Sequence, residues 1–218
     1  MNRTGANTIR VLIADDHAIV REGLKQILGA QADFQVVAEA SDGHEALKRV
    51  RELDFDVLLL DMSMPGKSGV ELIKQVKAEK PKLRILVLTM HEEHQYAVRA
   101  IRAGASGYLT KEGASAQLVT AIRKVASGGA YISAEVAEQL ALNAMPDATA
   151  APHERLSDRE FQVFRMIAEG KSVSEIADRL NLSVKTVSTH KANVLAKMGL
   201  STQGELIRYA LENDLVEK

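Results

Sequence analysis

Val57-Leu58-Leu59-Leu60-Asp61 is an unbroken apolar run closed by a single acid. A strand with one face in water alternates apolar and polar side chains, whereas a strand covered on both faces reads as continuous apolar sequence. The stretch therefore predicts an interior strand of a parallel sheet that ends in a carboxylate. Related runs lie on either side: Val11-Leu12-Ile13-Ala14, Phe34-Gln35-Val36-Val37-Ala38, Ile85-Leu86-Val87-Leu88 and the brief Gly107-Tyr108-Leu109. Between them, apolar residues recur at helical spacing, as in Ile19, Leu24, Ile27 and Leu28, then Val70, Ile73 and Val76, then Leu118, Ile122 and Val125. Asp42 followed by Glu45 resembles a capping box opening the second helix, and Pro81 ends the third. Five strands alternating with helices predict an α/β doubly wound, five-stranded parallel sheet with right-handed crossovers.

The residues just beyond the strands share one chemistry. Strand one runs into Asp15-Asp16, strand three into Asp61, strand four into Thr89 and strand five into Thr110-Lys111. Crossover helices return the chain to the same sheet edge each time, and ligands bind at the carboxyl edge of such sheets. Carboxylates gathered there repel one another by up to ~4 kcal/mol per pair at ~4 Å and an effective dielectric near 20. They call for a cation, and oxygen ligands alone favour a hard ion such as Mg²⁺. A site of this kind suits phosphoryl transfer, with metal and Lys neutralising the equatorial oxygens while a carboxylate attacks in line. A lone Asp-Asp pair after a strand is usually a solvated loop; the ordered set over several strand ends is what favours a site.

Composition narrows the alternatives. The 218 residues are 46% hydrophobic and 26% charged, which excludes disorder as the main state. No apolar run approaches the ~20 residues of a membrane helix, and Asp15 and Asp16 interrupt the first apolar stretch where a signal-peptide core would need to continue. With 0 cysteines, thiolate nucleophiles and thiolate metal sites are out, and a cytoplasmic protein is expected. No GxGxxG or Walker sequence supports nucleotide binding. The balance of 28 basic against 29 acidic residues says little, but its distribution says more. Residues 131–150 hold no Lys or Arg, and 139–152 is rich in Ala, Asn and Pro without sustained periodicity, so 129–152 reads as a linker.

Beyond the linker, strand-like runs give way to helical punctuation. Ser157 with Glu160, Ser172 with Glu175 and Thr202 with Glu205 fit capping boxes, and Gly170, Asn181 and Gly199 suit left-handed helix ends. Four helices follow, at about 158–169, 173–180, 184–198 and 202–213, the middle pair joined by Asn181-Leu182-Ser183 in the manner of a helix-turn-helix. Ile176, Ala177, Leu180, Leu182, Val187, Val194, Leu195 and Met198 supply a small core. Arg179, Lys185, Lys191 and Lys197 form a basic stripe with no acid between Arg179 and Gly204. Lys185, Thr186, Ser188, Thr189, Lys191, Ala192 and Asn193 fall on the open face of the third helix, where Lys and hydroxyls suit phosphates and bases and Asn suits adenine.

Val11 through His17, Leu60-Asp61-Met62-Ser63-Met64-Pro65-Gly66, Leu88-Thr89-Met90 and Tyr108-Leu109-Thr110-Lys111 resemble the receiver domain of two-component response regulators, over about residues 9–128. Leu156 through Glu160, Ile167 through Ser172, Glu175-Ile176-Ala177 and Leu182 through His190 resemble the LuxR-type helix-turn-helix, over 153–218. The combination is similar to the NarL/FixJ subfamily. That resemblance implies a flavodoxin-like receiver, a linker and an all-α DNA-binding domain. It implies that Asp61 accepts a phosphoryl group from a histidine kinase. Asp15, Asp16 and the Ser63 backbone carbonyl would help Asp61 bind Mg²⁺, with Asp16 the more direct carboxylate. Lys111 would pair with the phosphoryl group, Thr89 would hydrogen-bond it and move inward, and Tyr108 would change rotamer in response. Lys185, Thr186, Ser188, Thr189, Lys191 and Asn193 would face DNA, with a homodimer formed on phosphorylation meeting a palindromic operator.

Glu112 stands where many receivers carry Pro after the Lys, so a cis peptide is not assumed there. Met90 is bulkier than the residue many receivers place beside the Thr, and is expected to restrict water and prolong the acyl phosphate. His91 and His94 are weak metal candidates in a loop setting, and His190 is expected to pack or touch phosphate. The stripe Leu200, Leu206, Ile207, Ala210, Leu211 and Leu215 is part core, with an outer edge expected against a second protomer. The protein is not expected to serve as an enzyme. Two other readings stay open: a Mg²⁺-dependent phosphatase using Asp61 as nucleophile, and a regulator whose DNA binding ignores phosphorylation.

Overall fold

A computed structural model describes residues 8–64, 69–89, 94–142, 151–213 and 215–216. The first unit alternates β1 (Ile9–Ala14), α1 (Ala18–Gly29), β2 (Phe34–Ala40), α2 (Gly43–Glu52), β3 (Val57–Asp61), α3 (Gly69–Glu79), β4 (Arg84–Thr89), α4 (His94–Arg102), β5 (Gly107–Thr110) and α5 (Lys111–Ala126). Its strands pair in parallel in the order β2-β1-β3-β4-β5. The order reverses after β1, which is the switch point at which such sheets open a crevice.

Both sheet faces are dry, as the apolar runs require. Val11, Ile13, Val57, Leu59, Leu86 and Leu88 pack with Leu24 and Leu28 of α1 and Leu118, Ile122 and Val125 of α5. The alternate residues Leu12, Leu58, Leu60, Ile85 and Val87 are fully buried too, as are Ala46, Val50, Leu72, Ile73 and Val76 on α2 and α3. Fully burying an aliphatic side chain contributes ~1.5–3 kcal/mol, so this double layer holds the strand tips in fixed positions.

Three local expectations need correction. Ile19, grouped with the apolar face of α1, is 87% exposed, because it sits in the first turn beyond the reach of the sheet. The Asp42 side chain caps α2 through His44 N–H and Glu45 N–H, but Glu45 reaches back to the N–H and hydroxyl of Ser41 rather than to Asp42. The stretch 129–152, read as a linker without sustained periodicity, also carries local structure. Tyr131 bridges to Gly107 on the outer edge of β5, where Tyr108 N–H donates to Tyr131 O (2.8 Å) and Tyr131 N–H donates to Ser106 O (3.0 Å). A Cβ on Gly107 would lie 2.9 Å from Tyr131 O, so this approach needs glycine. Helix α6 (Ala134–Leu142) follows, opened by Ser133, whose Oγ accepts from Val136 N–H. Residues 143–150 lie outside the described chain.

The second unit begins with a short 3-10 turn (Pro152–Arg155), then α7 (Asp158–Ala168), α8 (Val173–Leu180), α9 (Val184–Met198) and α10 (Gln203–Glu212). The three boxes at Ser157, Ser172 and Thr202 all form, each with the reciprocal Glu contact. Gly170, Asn181 and Gly199 adopt φ of +84°, +52° and +67°, closing α7, α8 and α9 as their residue types favour. Phe161, Phe164, Ile176, Val187, Val194, Leu206 and Ala210 form the core, with Leu182 and Leu195 half-buried at its margin. Of the α10 stripe, Leu206, Ala210 and Leu215 are buried, while Leu200, Ile207 and Leu211 are half-exposed.

Candidate functional site

The end of β1 places Asp15, the last residue of β3 is Asp61, and the last of β4 is Thr89; each is 1% exposed. Lys111 opens α5 directly beyond β5, and its side chain is 8% exposed. Its Nζ lies 3.0 Å from Asp61 Oδ2 and 2.7 Å from Asp15 Oδ2. The first contact is a hydrogen bond and the second an ion pair, so one ammonium serves both buried acids. Asp61 Oδ1 accepts from Ser63 N–H (3.1 Å), which curls the loop over the acid. Asp15 Oδ1 accepts from His17 N–H (2.8 Å), and Arg21 donates to the Asp15 carbonyl (2.6 Å), fixing the turn after β1.

Electrostatics follow from burial. Desolvation pushes the Asp61 carboxyl above its ordinary pKa; Lys111 and the Ser63 N–H oppose this, and Asp15 reinforces it. Burial alone would lower Lys111, but Asp61 and Asp15 together outweigh it and hold the ammonium above its ordinary value. Asp15, Asp16, His17 and Asp61 each offer a ligand atom within 4.8 Å of the others. Tyr108 is buried on β5.

Asp15, Asp16, Asp61 and Lys111 thus meet in one cluster, with the Ser63 backbone folded against Asp61, while Thr89 ends the strand next to Asp61 in the sheet. The sequence reading passed over His17, whose only signal was its place directly after the acid pair. The described backbone has no cis peptide bond, and Lys111–Glu112 is trans. Met90, His91 and the side chain of His94 lie outside the described residues.

The second cluster is the outer face of α9. Lys185, Thr186, Ser188, Thr189 and Asn193 are exposed, and Lys191 is half-buried with its Nζ on Gln203 Oε1 (2.6 Å). Ser183 caps the helix through Thr186 N–H and pairs with the Thr186 hydroxyl; Thr189 Oγ1 donates to Lys185 O. Both threonine hydroxyls therefore have local partners. Lys197 leaves the stripe to pair with the buried Glu160 (2.6 Å), which ties α9 to α7. His190 is half-buried, and desolvation with Arg159 lowers its pKa against the pull of Glu160, as suits a packing residue.

Residues 11–123 match the response regulator receiver domain, and 154–210 match the luxR family of bacterial regulatory proteins. The chain is 40% identical to the response regulator UvrY of Escherichia coli over 95% of each chain. It is 41% identical to the oxygen regulatory protein NreC of Staphylococcus aureus over 96% of this chain and 100% of that one. The chain belongs to the NarL/FixJ family of response regulators. Among solved structures, the RcsB response regulator of Salmonella typhimurium shares 33% identity at a TM-score of 0.70, covering 93% of this regulator and 96% of that chain. RcsB of Salmonella enterica serovar Typhimurium bound to promoter rprA in the presence of a phosphomimetic matches with 32% identity at 0.65, over 93% and 98%. This regulator is accordingly a DNA-binding member of the two-component systems. Among its described residues, no helix is long and apolar enough to cross a membrane.

Proposed function

We propose that Asp61 is the phosphoryl acceptor of this regulator, loaded by a sensor histidine kinase in the cytoplasm, and that the resulting charge favours a homodimer reading a palindromic operator through α9. The observation that carries the reading is the pair of buried acids, Asp15 and Asp61, sharing the single ammonium of Lys111. Asp61 would attack phosphorus through a carboxylate oxygen while the bond from phosphorus to the donor nitrogen breaks, its electron pair leaving with that nitrogen. Lys111, whose Nζ lies 3.0 Å from Asp61 Oδ2, would pair with the phosphoryl oxygens. Thr89, buried at the end of the neighbouring strand, would hydrogen-bond the phosphoryl group, and Tyr108, buried on β5, would change rotamer in response.

The donor set fits a hard divalent ion. Three carboxylates gather there, and the two buried ones share a single ammonium, which leaves an excess of negative charge. Asp15, Asp16, Asp61 and the Ser63 carbonyl would hold Mg²⁺, which when bound neutralises charge on the transferring group. Asp61 phosphorylation adds roughly −1.5 to −2 charge and biases a pre-existing equilibrium. On DNA, Lys185, Thr186, Ser188, Thr189, Lys191 and Asn193 supply phosphate and base contacts. Two-fold symmetry sets the half-sites about one DNA turn apart.

Incubation with acetyl phosphate and Mg²⁺, followed by peptide mapping, should place one acid-stable, base-labile phosphate on residue 61. Asp61→Asn should remove it and abolish the gain in operator affinity seen on phosphorylation. Label at another residue, or equal operator affinity for phosphorylated wild type and Asp61→Asn, overturns the reading.

A further inference from the structure

Among the described residues that could ligate an ion in this cluster, His17 is the one that offers an imidazole nitrogen. Its Nδ1 lies 2.9 Å from Asp16 Oδ1 and 3.4 Å from Asp15 Oδ1. Neighbouring ligands on a six-coordinate ion with bonds of ~2.1 Å stand ~3.0 Å apart. The contact of Nδ1 with the Asp16 oxygen is an ion pair, and its spacing also matches adjacent corners of one coordination sphere. A second observation points the same way: Asp15, Asp16, His17 and Asp61 each offer a ligand atom within 4.8 Å of the others, and the two buried acids among them have only the Lys111 ammonium as counter-charge.

The backbone sets the ring there. His17 is the N-cap of α1 with φ −89° and ψ 108°, and its side chain makes no capping bond, so the imidazole does no work for the helix. Its main-chain N–H is tied to Asp15 Oδ1. The side chain is 57% exposed, which leaves an ion and its waters a way in. Carboxylates alone favour hard cations, whereas an imidazole suits borderline ions such as Ni²⁺, Fe²⁺ or Zn²⁺.

We propose that His17 Nδ1 is a ligand of the ion held by Asp15, Asp16 and Asp61, and that it gives this pocket a preference for a borderline transition-metal dication over Mg²⁺ beyond what the carboxylates provide. The proposal rests on the reading of this pocket as the divalent-cation site.

The test titrates the full chain, stripped of metal, with Ni²⁺ and separately with Mg²⁺ by calorimetry, and records the visible spectrum of the Ni²⁺ form. His17→Asn is the informative variant, because Asn is itself a favoured N-cap and preserves the start of α1. His190→Asn controls for nickel binding at another ring. Loss of an outer-shell partner already costs about 10–100-fold in metal affinity, so removal of a direct ligand should weaken Ni²⁺ at least about tenfold. Mg²⁺ affinity should fall by much less than Ni²⁺ affinity, label should still reach Asp61 at saturating Mg²⁺, and the nickel absorption should shift. An unchanged ratio of Ni²⁺ to Mg²⁺ affinity in His17→Asn, with labelling intact, overturns the role of His17 while leaving the pocket standing. A wild-type chain that binds neither ion and takes no label overturns the pocket itself, and the proposal with it.

Discussion

In the N-terminal unit, Asp15, Asp61 and Thr89 come from three strands and are buried where those strands end; in the C-terminal unit, Lys185, Thr186, Ser188 and Thr189 come from one turn-and-a-half of α9 and stand in solvent. The first site exists only once the sheet has formed, since residues far apart in sequence meet through parallel pairing. The second exists as soon as α9 is helical, and the rest of the unit serves to hold that helix outward. Damage to packing should therefore reach the two sites differently, and charge changes should do the reverse.

The largest expected effect is on the small helical core. Phe161 is fully buried against Phe164, with ring centres 5.8 Å apart. Phe161→Ala should cost ~3–5 kcal/mol, enough to unfold a unit of this size. Circular dichroism should show lost helix and operator binding should vanish, while labelling of Asp61 persists. Loss of both activities together would break the contrast.

Asp61→Asn should act with the opposite sign. It removes a buried carboxylate whose ionisation is disfavoured by desolvation, with Asp15 adding repulsion. The metal-free chain should gain on the order of 1 kcal/mol at neutral pH, read as a raised thermal midpoint. A lowered midpoint would mean that Lys111 more than compensates both acids.

The Glu160–Lys197 pair sharpens the comparison through pH. Burial would raise Glu160, but Lys197 and Ser157 together hold it below its ordinary value. A depressed carboxyl stabilises above its unfolded pKa and loses that contribution as pH falls through the folded one. Urea midpoints of the helical unit should fall in the acid range, and Lys197→Met should flatten that fall. An unaltered acid limb in the variant removes the pair from the account.

The smallest expected effect is Lys185→Ala. The side chain is exposed, so stability should stay within ~0.5 kcal/mol. Operator affinity should fall across sequences, with the salt slope reduced by ~0.9 for one lost phosphate contact. A change confined to one operator position would instead make Lys185 a base reader.

The strand tips were legible because sheet chemistry is written in the order of the chain: apolar run, then acid, hydroxyl or ammonium. The helix ends were legible because Ser157, Ser172, Thr202, Asn181 and Gly199 each satisfy a backbone requirement that few residues meet. Helix α6 was hidden because its signal is propensity, Ala, Glu, Gln and Leu after Ser133, and not periodicity. Exposure of Ile19 and the shared use of Lys111 by Asp15 and Asp61 depend on distances between elements, which no local pattern encodes. His17 was visible as a neighbour of the acids, but its ring direction was not.

The Tyr131 bridge has a consequence for how copies of the chain meet. Exposed margins of a sheet invite pairing with a foreign strand. On the β5 side, the amide of Tyr108 and the carbonyl of Ser106 are already taken by Tyr131. On the far side, the pairing of β1 with β2 slips by one residue at Val37, between Val11–Val36 and Leu12–Ala38. Both flanks thus depart from a straight, fully open edge, which disfavours in-register backbone pairing with a second copy of the chain.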